Sequence, residues 1–183
     1  EGCRRGWYSR NCAFNPFLVE GKKTVAFEVA EQLGRVPELV VAPVGDGCTL
    51  AAIGKGFREM REVGRADALP RLLGVQAEGV QPLVARLHGA APAAEGETRA
   101  ASIAVRRPRN AARLLRELRT AGGTLLAVPD AETDAASAAL ARDAGMVCEL
   151  TSATSLAGLT RLAERESLEG KTAVIVITGG RVD

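Results

Sequence analysis

The chain has 183 residues, 46% of them hydrophobic and 25% charged, which is enough for one domain with a sizeable core. Its 24 Lys+Arg against 22 Asp+Glu leave a net charge of +2, so the overall charge argues for neither nucleic acid nor an anionic membrane as partner. No run of about 18 apolar residues occurs, and the opening EGCRRGWYSR has no signal-peptide apolar region, so the expected compartment is the cytoplasm.

In chain order, residues 1 to 14 hold Trp7, Tyr8 and Phe14 among arginines without periodicity, and they read as an arm or an interdomain crossing ahead of an α/β domain over 15–183. Asn15-Pro16 marks a turn and Gly21 a second break. From Thr24 to Leu33, Val25, Ala26, Val29, Ala30 and Leu33 share one helical face, and Gly34 stops the helix. Leu39 to Ala42 is an apolar strand; a glycine turn, Gly45-Asp46-Gly47-Cys48-Thr49, leads from it into a helix with Leu50, Ile53 and Phe57 on one face. Leu72 to Ala77 reads as a buried strand, Val80 to His88 as a short helix with Pro82 in its first turn, and Gly89 to Gly96 as a mobile loop. Asn110 to Thr120 is a helix with a basic outer face, Thr124 to Val128 a strand, and Ala131 to Asp143 a helix with Asp130 suited to its N-cap. Met146 to Cys148 reads as a short strand, Glu149 to about Arg165 as a helix, and Ala173 to Ile177 as a strongly β-coded run ending in Thr178-Gly179-Gly180.

Strands alternating with helices predict an open, mostly parallel α/β sheet in three layers, with helices on both faces and ligands outside the carboxyl ends of the strands. A glycine turn at a helix N-terminus offers unpaired N–H groups and the positive end of the helix dipole to an anion, most often a phosphate. On its own such a turn is as often a mere connection. A second glycine turn at the end of another strand, Thr178–Gly180, favours a shared ligand crevice. The dinucleotide fingerprint fails for want of a third glycine and a suitable acid, and Lys55 in Gly54-Lys55-Gly56 lies inside the helix, which fails the order of a nucleotide-binding P-loop.

Other features have plainer explanations. Cys3, Cys12, Cys48 and Cys148 are widely spaced, and with one histidine they support neither a zinc site nor a disulfide framework, so no metal is expected and the thiols are expected reduced. Arg106, Arg107, Arg109, Arg113, Arg116 and Arg119 lack aromatic interleaving and read as a solvated face. His88 reads as a surface or capping residue and Cys48 as a small packing residue. Glu149 suits either substrate orientation or a structural strand end. Asp46 is expected to point away from an anion and to cap the turn, and Glu20–Thr24 reads as a helix entry.

The segment NPFLVEGKKT, followed by AFEVAEQLG and VVAPVGDGCTLAAIGKGF, resembles threonine synthase and its relatives among the fold-type II pyridoxal-phosphate enzymes. GMVCELTSATSLAGL and VIVITGG are similar to that family's later segments, and the likeness runs from about Gly6 to the C-terminus. The resemblance implies pyridoxal 5′-phosphate as cofactor, its phosphate held by Val44, Gly45, Asp46, Gly47, Cys48 and Thr49, with Thr178 beside the pyridine nitrogen. It implies a small amino-acid substrate, loss of its α-proton, then elimination or replacement at Cβ or Cγ. For threonine synthase itself that is phosphohomoserine and water to threonine and phosphate, by a homodimer. Leu150 stands where the family commonly has proline, and Cys48 and Thr49 where it often has glycine and asparagine. The family's Schiff-base lysine lies in an earlier segment that nothing here matches; Lys22, Lys23 and Lys55 match non-catalytic positions. With Glu1 rather than Met first, the chain is expected to be the C-terminal part of a longer enzyme and inactive alone. The competing expectations are an ammonia-lyase of the threonine or diaminopropionate type, and a truncated, non-catalytic binding or assembly module.

Overall fold

The computed structural model describes residues 5–12, 14–91 and 96–180. Cys3, the first residues of the arm and the middle of the 89–96 loop therefore lie outside the described residues.

The fold is carried by parallel strands β1 (Leu39–Pro43), β2 (Arg71–Ala77), β3 (Thr124–Val128) and β4 (Ala173–Ile175), in the order β3-β2-β1-β4. Val40 faces Leu72 on one side and Val174 on the other, while Leu73 pairs with Thr124. Alternate side chains of one strand enter opposite layers, as the pleat requires. Val40 and Ala42 pack with Leu72 and Leu125 against α2 (Thr24–Leu33), α3 (Cys48–Glu62), α4 (Pro82–Leu87) and α5 (Ala111–Thr120), where Phe57, Leu114 and Leu118 are buried. Leu39 and Val41 pack with Leu73 and Val75 against α6 (Asp130–Ala144) and α7 (Leu150–Ala163) through Leu140, Ala153 and Ala157. The result is the three-layer sheet with helices on both faces that the alternation of elements predicts.

Several local expectations are corrected. Asn15-Pro16 opens a helix, α1 (Pro16–Lys22), rather than a turn: Asn15 accepts the Phe17 N–H at 3.1 Å and Pro16 sits in the first turn, where its missing N–H costs nothing. Gly21 is carried inside that helix. The short helix starts at Pro82 and ends at Leu87, narrower than 80–88. Asp130 is not an N-cap; Pro129 holds that position and Asp130 is the first helical residue, its carboxylate taken by Thr98 Oγ1 (2.6 Å) and Arg99 N (2.8 Å). Met146–Cys148 forms no strand. It makes one antiparallel bridge, Cys148 to Gly180, across the end of the sheet.

The strand expected over 173–177 ends as β4 at Ile175 for a covalent reason. The β1 residues whose backbone groups hydrogen-bond toward β4 are Leu39 and Val41; the Val41 carbonyl still accepts the Val176 N–H at 2.8 Å. Pro43, next on that side, has no N–H for the following rung. Ser155 Oγ donates to the Val176 carbonyl in its place (3.2 Å).

Candidate functional site

β1 ends in the first glycine turn. Val44 stays tied to the sheet through its N–H on Val75 O (2.7 Å). Gly45 then runs so close to the 101–103 turn that a β-carbon would lie 2.9 Å from Ile103 Cα and 3.2 Å from Ser102 O. Gly47, the N-cap of α3, has φ 88° and ψ 0°, a left-handed conformation that side chains resist. No side chain caps α3 among the described residues and its first turn holds no acid. The N–H groups of Cys48, Thr49 and Leu50, which have no intrahelical acceptor, thus form the positive end of a fifteen-residue helix.

The surroundings of this turn add positive charge and remove negative charge. Lys22 Nζ donates to Thr49 Oγ1 at 3.3 Å and lies 3.9 Å from Cys12 Sγ. Asp46 does point away, but what it caps is another element: its carboxylate accepts Arg109 N at 2.6 Å and the Asn110 side-chain amide at the start of α5. Lys23 and Lys55 are engaged elsewhere, in a net of ion pairs with Glu20 and Glu59 (Lys23–Glu59 2.7 Å, Lys55–Glu59 3.3 Å). Cys48 is buried, and burial together with the neighbouring Cys12 thiol pushes its pKa up to about 12, which suits packing and not nucleophilic attack.

β4 lies beside β1, and the second turn, Thr178–Gly180, follows it. This is a topological switch point: the chain leaves β1 toward β2 and β3 on one side and returns through α7 to β4 on the other. Ser152, fully buried in the first turn of α7, accepts the N–H groups of Thr178 and Gly179, both at 3.0 Å. Its hydroxyl lies 3.1 Å from Thr178 Oγ1 and 3.2 Å from Gly179 O. Glu149 donates its N–H to Gly179 O at 3.2 Å, and its Oε2 accepts Ser102 Oγ at 3.1 Å. The 101–103 turn therefore touches the first glycine turn at Gly45 and is linked to the second only through Glu149, which accepts from Ser102 and donates its N–H to Gly179 O.

Composition and periodicity do not flag Ser102, Ser152, Lys22 or Asn110; only the return of distant segments to one sheet edge makes them neighbours. The arginines at 106, 107, 109, 113, 116 and 119 are exposed, and Arg116 covers the buried carboxylate of Glu117. His88 is exposed at the C-cap of α4. Among the described residues no group of three or more His, Cys, Asp or Glu is placed to hold a metal ion, and no helix is long and apolar enough to cross a membrane. A cleft of about 930 Å³ beside Phe27, Met60 and Val63 lies at the opposite end of α3 from the glycine turn and gathers none of this chemistry.

Two glycine turns, one opening a helix with uncapped N–H groups and one carrying a hydroxyl, stand on adjacent strand ends of an open parallel sheet, the place where proteins of the open α/β class hold their ligands. A family model described as pyridoxal-phosphate dependent enzyme matches residues 3–179, and the chain belongs to that family. Threonine synthase of Methanosarcina acetivorans is 41% identical over 175 residues, covering 93% of this chain and 43% of the relative. Threonine synthase of Methanocaldococcus jannaschii is 39% identical over 173 residues, 92% and 43% respectively. The chain thus spans less than half the length of these curated relatives. Among solved structures, threonine deaminase isoform 2 of Solanum lycopersicum superposes with TM-score 0.79 at 20% identity, over 100% of this chain and 48% of that one. Serine racemase of Dictyostelium discoideum gives 0.73 at 19%, over 92% and 52%. These share the fold of fold-type II pyridoxal-phosphate enzymes, and pyridoxal 5′-phosphate is the cofactor of the family.

Proposed function

We propose that this chain is the C-terminal part of a threonine synthase-like enzyme, a lyase acting on a small amino-acid substrate in the cytoplasm, and that it supplies one wall of the cofactor site. The observation that carries this is the juxtaposition of the two turns on adjacent strands. Val44, Gly45, Asp46, Gly47, Cys48 and Thr49 form the cradle for the cofactor phosphate, Asp46 by its backbone and by bracing the turn, and Thr178 offers its hydroxyl to the ring nitrogen. Two features support the fit: the α3 N–H donors are open and Lys22 adds a cation, while Gly45 and Gly47 are kept as glycine by the close approach of Ile103 and Leu114. When bound, pyridoxal phosphate supplies an electron sink for carbanion chemistry. This chain's own part is to hold the phosphate, keep a neutral partner at the ring nitrogen, and keep Glu149 beside Gly179.

The reaction proposed for the whole enzyme is phosphohomoserine and water to threonine and phosphate, supported by the names of relatives near 40% identity. Residues 15–183 are the cofactor-binding domain, residues 1–14 an arm, the Schiff-base lysine lies outside this chain, and the whole enzyme works as a homodimer. An ammonia-lyase is the second reading, favoured only by shared fold. The test has two parts. Pyridoxal phosphate titrated into the chain is expected to bind weakly and saturably, and Gly47→Val to bind at least tenfold more weakly, about 1.4 kcal/mol; equal binding would overturn the cradle. In the whole enzyme, phosphate release from phosphohomoserine is expected, and 2-oxobutanoate from threonine as the dominant product would favour the lyase.

A further inference from the structure

We infer that Lys22 and Thr49 hold the phosphate of the bound ligand with their side chains: the Lys22 ammonium and the Thr49 hydroxyl stand beside the N–H groups that open α3 and donate to the same anion. This deepens the cofactor reading above and rests on it for the identity of the ligand.

The direction of the contact between the two is set by their chemistry. An ammonium has three N–H donors and no acceptor, so Lys22 Nζ donates to Thr49 Oγ1 at 3.3 Å. The Thr49 proton is not used in that contact, and no acceptor takes it among the described residues. A second Lys22 proton meets only the Cys12 sulfur at 3.9 Å, a weak acceptor. The third meets no protein acceptor among the described residues. Charge points the same way. Among the described residues no carboxylate pairs with Lys22: Glu20, two positions earlier, is held by Lys23 (3.1 Å) and Lys55, and Glu59 by the same two lysines. Asp46, the acid of the turn itself, is taken by Arg109 and Asn110. An ammonium without an acid thus stands at the positive end of a fifteen-residue helix, and the two poles repel until an anion joins them. α1 fixes the lysine there, since its Val19 is buried against Cys48 and Ala52 of α3. A phosphate ester, with about two negative charges and three acceptor oxygens, matches this set of donors.

Titrations of the 183-residue chain decide this, with inorganic phosphate and pyridoxal 5′-phosphate as probes. Lys22→Gln is expected to weaken binding of both roughly tenfold, the loss of one hydrogen bond to a charged group, and Lys22→Arg to recover most of it. Thr49→Val is expected to lose roughly three- to tenfold, and Thr49→Ser to keep the wild-type affinity. Lys55→Gln, which alters a lysine already paired with Glu59, should leave both affinities unchanged. NMR of the wild type separates ligand contact from a merely structural role. The Lys22 ammonium signal, labelled with 15N and assigned through bonds, is expected to shift on addition of phosphate and not of chloride at equal ionic strength. An unmoved ammonium, or wild-type affinity in both Lys22→Gln and Thr49→Val, overturns the inference, while saturable cofactor binding leaves the cofactor reading standing. A loss in one variant alone overturns the share of the other residue. Phosphate binding that depends on Lys22, without saturable binding of pyridoxal 5′-phosphate, overturns the cofactor reading and leaves the anion site. If neither probe binds, both fail.

Discussion

Asp46 turns its carboxylate away from the glycine turn it belongs to and onto Asn110, accepting that residue's side-chain amide and, at 2.6 Å, the N–H of Arg109. Asn110 returns a backbone N–H to Asp46 O at 3.2 Å. The acid thus braces the proposed anion cradle against the N-terminus of α5, where the helix dipole favours negative charge.

Replacing Asp46 should therefore loosen the cradle without unfolding the sheet. Asp46→Ala is expected to cost about 1–2 kcal/mol, from lost hydrogen bonds to a charged acceptor. Asp46→Asn should cost less, because an amide oxygen can still accept Arg109 N–H. Urea denaturation measures the cost, and hydrogen exchange at Asn110 and Ala51, whose N–H groups bond Asp46 O and Gly47 O, should rise in Asp46→Ala. Unchanged exchange there would mean the brace is inert.

Gly47 carries a different constraint, in the backbone itself. At φ 88° a β-carbon is strained, and here it would also meet Leu114 Cβ and Cδ2 at 3.2 Å. Gly47→Ala is expected to destabilise by about 1–2 kcal/mol, seen as a lower urea midpoint with an unchanged slope. A neutral Gly47→Ala would show that the turn relaxes to another conformation.

Cys48 and Cys12 should separate chemically. Burial holds the Cys48 thiol near pKa 12, while Cys12 is only half-buried. At pH 7.5 iodoacetamide is expected to label Cys12 well before Cys48, read by peptide mass spectrometry, because the thiolate is the reactive form. Cys148, whose pKa burial also raises, should be slow too. Labelling of Cys48 ahead of Cys12 would contradict the packing role.

Much of the fold is written in local patterns. The apolar runs at Leu39–Ala42, Leu72–Ala77 and Thr124–Val128 and the amphipathic faces of α2 and α5 need only period and composition to be read, and the sheet follows from their alternation. The errors fall where a local signal has two meanings or where the deciding partner is distant. Asn-Pro serves both turns and helix starts, and the Asn15 cap on Phe17 settles it as a helix start. Asp130 looks like an N-cap until Thr98 and Arg99, some thirty residues earlier, occupy its carboxylate. The glycine turns of the candidate site are visible in sequence because glycine supplies what their backbone needs, a positive φ at Gly47 and a close approach at Gly45. Ser102 and Ser152 are ordinary serines until the fold sets one against Glu149 and the other under Thr178.

The ion-pair net beside the cradle gives the chain a pH signature. Hydrogen bonding to Lys23 holds the Glu59 carboxyl below its usual value, and Lys55 does the same for Glu20. For a carboxylate depressed on folding, the stabilisation is present above the unfolded pKa of about 4.3 and is lost as pH falls through the folded value. Lys23 is shifted upward, chiefly by Glu59, so its share is complete below its unfolded pKa and fades only in strong alkali. The net should therefore contribute a flat increment from about pH 5 to pH 9 that falls progressively as the pH drops through the lowered carboxylate values. These side chains are a quarter to two-fifths exposed, so solvent screening holds each pair below about 1 kcal/mol. Glu59→Gln is expected to lower the urea midpoint at pH 7 and in low salt, and its gap to the wild type is expected to narrow steadily as the pH falls below about 4. A gap that does not narrow with acid would place the effect in packing of the Glu59 stem against Lys23 and Lys55 and not in its charge.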